Sequence, residues 1–168
     1  MRPFPIHVQY MNSPCGELVL AEFNSKLCMC DWARSPRHPN HLHKLLANGE
    51  IINECTPFLE TVKSLLEQYF QGEKVIFDIP LNPIGTDFQK EVWKILTEIP
   101  VHETRTYGEI ARLVHRPSSI RAVANAIGSN PLSIIIPCHR VIGKNGRLTG
   151  YAGGIAAKKF LLELEKVL

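Results

Sequence analysis

No run of about 18 apolar residues occurs in the 168-residue chain, so no membrane-crossing helix is expected. Met1-Arg2-Pro3-Phe4-Pro5 lacks the apolar stretch of an export signal, which makes the cytoplasm the expected compartment. A disulfide framework is missing too. The five cysteines, Cys15, Cys28, Cys30, Cys55 and Cys138, are odd in number and irregular in spacing, as in a chain kept reduced. Cys28-Met29-Cys30 with His38, His41 and His43 matches no standard zinc spacing, and no metal is expected. Strong charge of either sign is also absent. The formal net charge is +3, and the chain is 45% hydrophobic and 21% charged, ordinary for a globular protein. The small excess is uneven: residues 1–83 carry seven Lys+Arg against nine Asp+Glu, residues 84–168 twelve against seven. A basic second half hints at a polyanionic partner.

What is present converges on Ile134-Ile135-Ile136-Pro137-Cys138-His139-Arg140-Val141-Ile142. Two strand-like apolar runs flank Pro-Cys-His-Arg. Proline fixes its own φ and cannot donate to a sheet ladder, so Pro137 is expected to end the first strand and hold Cys138 just beyond it. Most cysteines are inert core fillers. A thiol beside a base and a cation has instead the ingredients of an activated nucleophile.

Residues 6–31 read as a β-meander, with Ile6, Val8 and Tyr10 alternating and turns at Ser13-Pro14-Cys15-Gly16 and Asn24-Ser25. A short helix is expected at 41–47. Thr56-Pro57 opens a second helix, which carries Phe58, Leu59, Val62, Leu65, Leu66, Tyr69 and Phe70 and ends at Gly72. Val75 to Ile79 reads as a strand and Pro80 to Gly85 as a linker.

The second half is sharply punctuated. Thr86-Asp87-Phe88-Gln89 and Thr106-Tyr107-Gly108-Glu109 are capping boxes, each opening a helix. His115-Arg116-Pro117-Ser118 is a turn, and a further helix runs from about Ser119 to Ile127. This is a helix-turn-helix pattern. The second of its helices has three alanines and a single charge, Arg121. Such a helix suits close approach to a minor groove, with Arg121 as wedge, or equally an alanine-packed core. A last helix spans 155–168, with Ala157, Phe160, Leu161, Leu164 and Leu168 facing inward and Glu165 at the edge of that face, either in solvent or as the partner His139 needs. The whole is α+β: a small N-terminal α/β domain over 1–80, then a mainly helical domain over 85–168 with short strands at the cysteine.

From Gly85 to Glu165 the chain resembles the O6-alkylguanine-DNA alkyltransferases. The resemblance is carried by Gly85-Thr86-x-Phe88-Gln89-x-x-Val92-Trp93, Thr106-Tyr107-Gly108-x-Ile110-Ala111 and Arg121-Ala122-Val123. It continues through Asn130-Pro131, Ile136-Pro137-Cys138-His139-Arg140-Val141, Gly150-Tyr151-x-Gly153-Gly154, Lys158 and Leu161-Leu162-x-x-Glu165. The resemblance implies a ribonuclease-H-like N-terminal domain and minor-groove binding of duplex DNA as a monomer, without cofactor or metal. It implies direct-reversal repair, in which Cys138 accepts the alkyl group of a flipped O6-alkylguanine, or O4-alkylthymine, irreversibly. His139 would deprotonate Cys138 through a water, and Glu165 would orient the histidine. Tyr107 would help guanine leave. The backbone at Val141 and Ala152 would bind the base, Tyr151 would line the pocket, and Arg121 would fill the gap in the duplex. Asn130 would brace the turn before the cysteine. Ala122 and Lys158 complete the expected substrate- and DNA-binding set. DNA-bound molecules would associate with the nucleoid.

Ile120 departs from the small residues frequent before that arginine, and either turns into the core or stands toward the groove. Two rival functions follow from the same residues: a DNA-binding sensor or regulator with an idle cysteine, and a cysteine hydrolase, for which no oxyanion motif is evident.

Overall fold

A computed structural model describes residues 3–168, which divide after Ile84 into two compact units. Met1 and Arg2, the start of the segment read as no export signal, lie outside the described residues.

The first unit grows from local hairpins. β1 (Pro5–Ser13) pairs antiparallel with β2 (Gly16–Phe23), and β2 with β3 (Lys26–Trp32). Asn24 and Ser25 both take positive φ, 49° and 56°, the two-residue geometry whose twist matches flanking strands. The crossover through α1 (His38–Leu46) lets β4 (Glu50–Ile52) run parallel to β1, giving the order β3-β2-β1-β4. α2 (Pro57–Phe70) is capped by Thr56, whose hydroxyl accepts from Leu59 N at 3.2 Å, and it lays Leu59, Val62, Leu66 and Tyr69 against β1 and β2. The wholly buried Asp31 accepts from His38 Nδ1 at 2.8 Å and His41 Nδ1 at 2.9 Å, tying α1 to β3. No group of three potential ligands could hold a metal ion among the described residues.

Three expectations for this unit are corrected. The inward alternation slips after Val8, leaving Tyr10 exposed and Met11 buried. Residues 75–79 form no strand, because only Leu81 finds a partner, in a bridge to Leu27. α1 starts at His38, three residues before the expected helix, since Pro39 sits in its first turn, where a missing N–H costs nothing.

In the second unit both capping boxes form, at the starts of α3 (Asp87–Thr97) and α4 (Tyr107–Leu113). A Cβ on Gly85 would lie 2.3 Å from the Trp93 ring, so only glycine lets the indole close over the chain. Trp93 Nε1 donates to Ala126 O at 2.8 Å, fixing α3 against α5 (Ile120–Gly128). α4 and α5 form the helix-turn-helix, with His115 at φ 58° in the turn. α5 buries Val123, Ala126 and Ile127 and exposes Ile120, Arg121 and Ala122, so Ile120 faces outward. β5 (Arg105–Thr106) and β6 (Val141–Ile142) pair in parallel, and α6 (Ile155–Leu164) closes the unit. α6 ends before the expected position: Leu168 is 61% exposed, and Lys158 and Leu162 join the buried face.

The run before the cysteine is not a strand. Residues 132–136 fold into a buried turn, with Ile135 N donating to Ser133 O and Ile136 N to Leu132 O. An unbroken apolar run has no period that separates a buried strand from a buried turn. Asn130 decides the outcome. Its Nδ2 donates to Ile136 O at 2.8 Å and Leu132 O at 3.4 Å, and its Oδ1 accepts from Leu132 N at 2.9 Å. These bonds hold Ile134 at φ 72°, a conformation costly for a β-branched residue. Asn130→Ala would take the acceptor from the buried Leu132 N and one of two donors from Ile136 O, which keeps Cys138 N, and is expected to lower the free energy of unfolding in urea by about 2 kcal/mol.

Candidate active site

Cys138, His139 and Arg140 form one 3₁₀ turn that runs directly into β6. Pro137, with no N–H of its own, precedes it. Cys138 N donates to Ile136 O at 2.8 Å and Arg140 N to Pro137 O at 3.0 Å. The tight turn sends the three consecutive side chains in different directions while all remain buried, at 7%, 0% and 9% exposure.

Glu165, at the C-terminal end of α6, receives two of them. His139 Nε2 lies 2.7 Å from Glu165 Oε1. Arg140 binds the same carboxylate in a fork, Nε to Oε2 and Nη2 to Oε1, both at 2.9 Å, and Nη1 donates to Ile99 O at 2.7 Å. His102 Nδ1 contacts the Glu165 backbone oxygen. Burial opposes ionisation of Glu165, but the hydrogen bonds and charges of His139 and Arg140 outweigh it and hold the carboxyl at about 2. Glu165 is therefore a buried carboxylate, not an edge charge. Burial lowers the pKa of His139 despite Glu165, with Arg140 and Lys158 adding to the effect, so the imidazole stays neutral. Its Nδ1 is buried with no protein partner. A neutral imidazole oriented through one nitrogen can take a proton on the other.

Tyr107 starts α4, and its hydroxyl donates to Thr149 O at 2.9 Å. Burial raises its pKa, and Cys138 adds to the rise, which keeps the phenol a proton-bearing donor. The Tyr151 ring stands edge-on to His139, centroids 6.5 Å apart, with the part-buried Ala152 next to it. Thus Tyr107 and Lys158 interact electrostatically with Cys138, Glu165 and Tyr151 stand against the adjacent His139, and Arg121 and Ala122 lie apart on the exposed face of α5.

Three residues of the expected substrate- and DNA-binding set face inward, Asn130 as the brace of the turn that the resemblance implies. Asn130, 1% exposed, spends its amide on the turn. Val141 is wholly buried, and its carbonyl already accepts from Lys158. Lys158 is itself at 0% exposure with its ammonium on backbone carbonyls, out of reach of a phosphate. Arg140 is the residue that sequence reasoning undervalued, since it was read only as added charge. Its presence beside a histidine that needs a carboxylate was the available signal.

Both units match known proteins. Residues 6–83 match the ribonuclease-like domain of 6-O-methylguanine DNA methyltransferase, and residues 87–167 match its DNA-binding domain. The methylated-DNA–protein-cysteine methyltransferase of Haemophilus influenzae is 42% identical over 164 residues, covering 96% of this chain and 87% of that one. That of Methanosarcina mazei is 57% identical over 113 residues, 67% of this chain and 72% of that one. The crystal structure of Mycobacterium tuberculosis OGT in complex with DNA superposes with TM-score 0.82 at 42% identity, covering 96% and 92%. The chain belongs to the 6-O-methylguanine DNA methyltransferase family.

Glu165→Gln leaves Arg140 buried without a counter-charge and is expected to cost roughly 3–5 kcal/mol in urea unfolding, part of it recovered when Arg140→Met is added. The carboxyl sits at about 2 in the folded chain and near the ordinary value of about 4.3 when unfolded. Its stabilisation is complete above that ordinary range and is lost as pH falls toward the folded value. The free energy of unfolding should decline less steeply with falling pH across this acid window in Glu165→Gln than in the parent.

Proposed function

We propose that the protein repairs DNA by transferring the alkyl group of O6-alkylguanine to Cys138, and that each molecule is consumed in doing so. The observation that carries the proposal is the His139–Glu165 pair beside Cys138, with His139 Nδ1 buried and unpartnered. The Cys138 proton passes to Nδ1 through a water. The resulting thiolate attacks the alkyl carbon, a C–S bond forms and the C–O6 bond breaks, its electron pair going to the guanine. A proton delivered through the Tyr107 hydroxyl neutralises the departing base. The product is a thioether with no electrophilic carbonyl for water to attack, so no second turnover follows.

Delivery of the base falls to α5. Ile120, Arg121 and Ala122 stand on its exposed face, and the small Ala122 permits close approach to a minor groove while Arg121 occupies the space of the extruded nucleotide. Tyr151 and the backbone at Ala152 line the base pocket, and O4-alkylthymine is a second substrate of the same chemistry. The DNA complex of the mycobacterial relative supports DNA as partner. A monomer acting in the cytoplasm on the nucleoid fits this reading, and no described helix is long and apolar enough to cross a membrane. Residues 85–168 carry the chemistry and the DNA contact, and residues 1–80 support them.

Intact-protein mass after incubation with methylated duplex DNA tests the reading. A gain of one methyl group mapped to Cys138 is expected in the parent and none in Cys138→Ala, which should still bind DNA; unchanged parental mass would refute transfer. Arg121→Ala should slow reaction with duplex by at least about tenfold, equivalent to about 1.4 kcal/mol of lost flipping stabilisation, and leave reaction with free O6-alkylguanine unchanged. Equal losses on both substrates would remove Arg121 from the flipping role.

A further inference from the structure

We propose that Lys158 is the fixed counter-charge of the Cys138 thiolate and a positioning residue of the site, which extends the reading of Cys138 as the nucleophile. Lys158 lies on the buried face of α6 and is among the largest side chains with no exposure. Its Nζ donates to three carbonyl oxygens, Val141 O at 2.5 Å, Thr149 O at 3.1 Å and Gly150 O at 3.4 Å. The Tyr107 ring centroid is 5.9 Å away. No carboxylate pairs with Lys158 among the described residues, and the buried carboxylate of Glu165 is already engaged by His139 and Arg140.

A buried ammonium without a counter-ion is costly, and carbonyl dipoles offset only part of that cost. Here desolvation brings its pKa down to about 8, with Cys138 acting in the opposite direction. The Val141 carbonyl that Lys158 holds belongs to the residue that caps the Cys138 turn, Val141 N donating to Cys138 O, and the ionisable groups around the ammonium are Cys138, His139 and Tyr107. Of these, Tyr107 keeps its proton and His139 can only become positive. Cys138 alone becomes an anion in the reaction, so Lys158 meets its counter-charge when the thiol ionises. The coupling is reciprocal: a thiolate that holds the proton on Lys158 is itself favoured by that ammonium. The same Nζ ties β6 to the loop that leads to Tyr151, and Thr149 O also receives the Tyr107 hydroxyl. Charge and pocket geometry therefore depend on one side chain.

The test reads thiol acidity directly. The pH dependence of iodoacetamide labelling, mapped to Cys138 by mass spectrometry, is measured in the parent and in Lys158→Met. The midpoint is expected to rise by about one pH unit or more in the variant, as loss of an adjacent charge implies. An unchanged midpoint would overturn the proposal. If Lys158→Met does not fold, the lysine is observed instead: the Nζ titration of Lys158, followed by NMR in ¹⁵N-lysine-labelled protein, should move to lower pH in Cys138→Ala. No movement would overturn the proposal. Neither measurement uses DNA, so failure of alkyl transfer would show separately in the methylated-DNA mass experiment.

Discussion

Three side-chain donors converge on the two oxygens of Glu165: His139 Nε2, Arg140 Nε and Arg140 Nη2. This carboxylate anchors the turn that carries the cysteine. It joins the end of α6 to the turn that carries Cys138, across 25 and 26 residues of chain. It also resolves an electrostatic conflict. A guanidinium and an imidazole on successive residues repel any added positive charge, and burial magnifies the effect. The carboxylate neutralises Arg140 by a bidentate pair and, with its remaining capacity, orients His139. Because Arg140 claims both oxygens, Glu165 has little tendency to take a proton from the histidine. Its part is orientation and electrostatic support, in keeping with the role of the acid in triads generally.

The turn before the cysteine obeys a second constraint, that buried backbone groups must be paired. Pro131 and Pro137 bracket five residues, all buried, that form a turn and not a strand. Asn130 supplies an acceptor and a donor at the right places, and Ile134 takes a left-handed conformation to complete the reversal. One amide thus links the end of α5, which carries the exposed Arg121, to the start of the Cys138 turn. The exposed face of α5 and the Cys138 thiol are separated in sequence but joined through a few stiff bonds.

Much of this was legible in the residues. Capping boxes at Thr86 and Thr106 announced α3 and α4, because the side chains that satisfy orphan N–H groups are local and few. The approach of Glu165 to His139 was legible because the helical phase of α6 puts Glu165 beside its buried face. What failed was non-local. Residues 75–79 have strand composition, but a strand needs a partner, and only Leu81 has one. The run 134–136 has the composition of a strand, yet a side chain at Asn130 replaced the ladder. Lys158 is the clearest case. A lysine reads as surface by composition, and three backbone carbonyls from distant segments make it interior.

The balance of charge around Cys138 carries a last consequence. Arg140 is matched by Glu165, and His139 is neutral, so Lys158 leaves the pocket one positive charge in excess. A catalyst that passes repeatedly through thiol and thiolate would need an environment acceptable to both. A thiol that reacts once needs only to favour the anion until the bond forms. The resulting thioether is neutral, and the ammonium then has no counter-charge in a site that remains buried. The excess charge thus favours the thiolate over both the neutral thiol before it and the neutral thioether after it, so the anion is the one state in which the charge of the site is balanced.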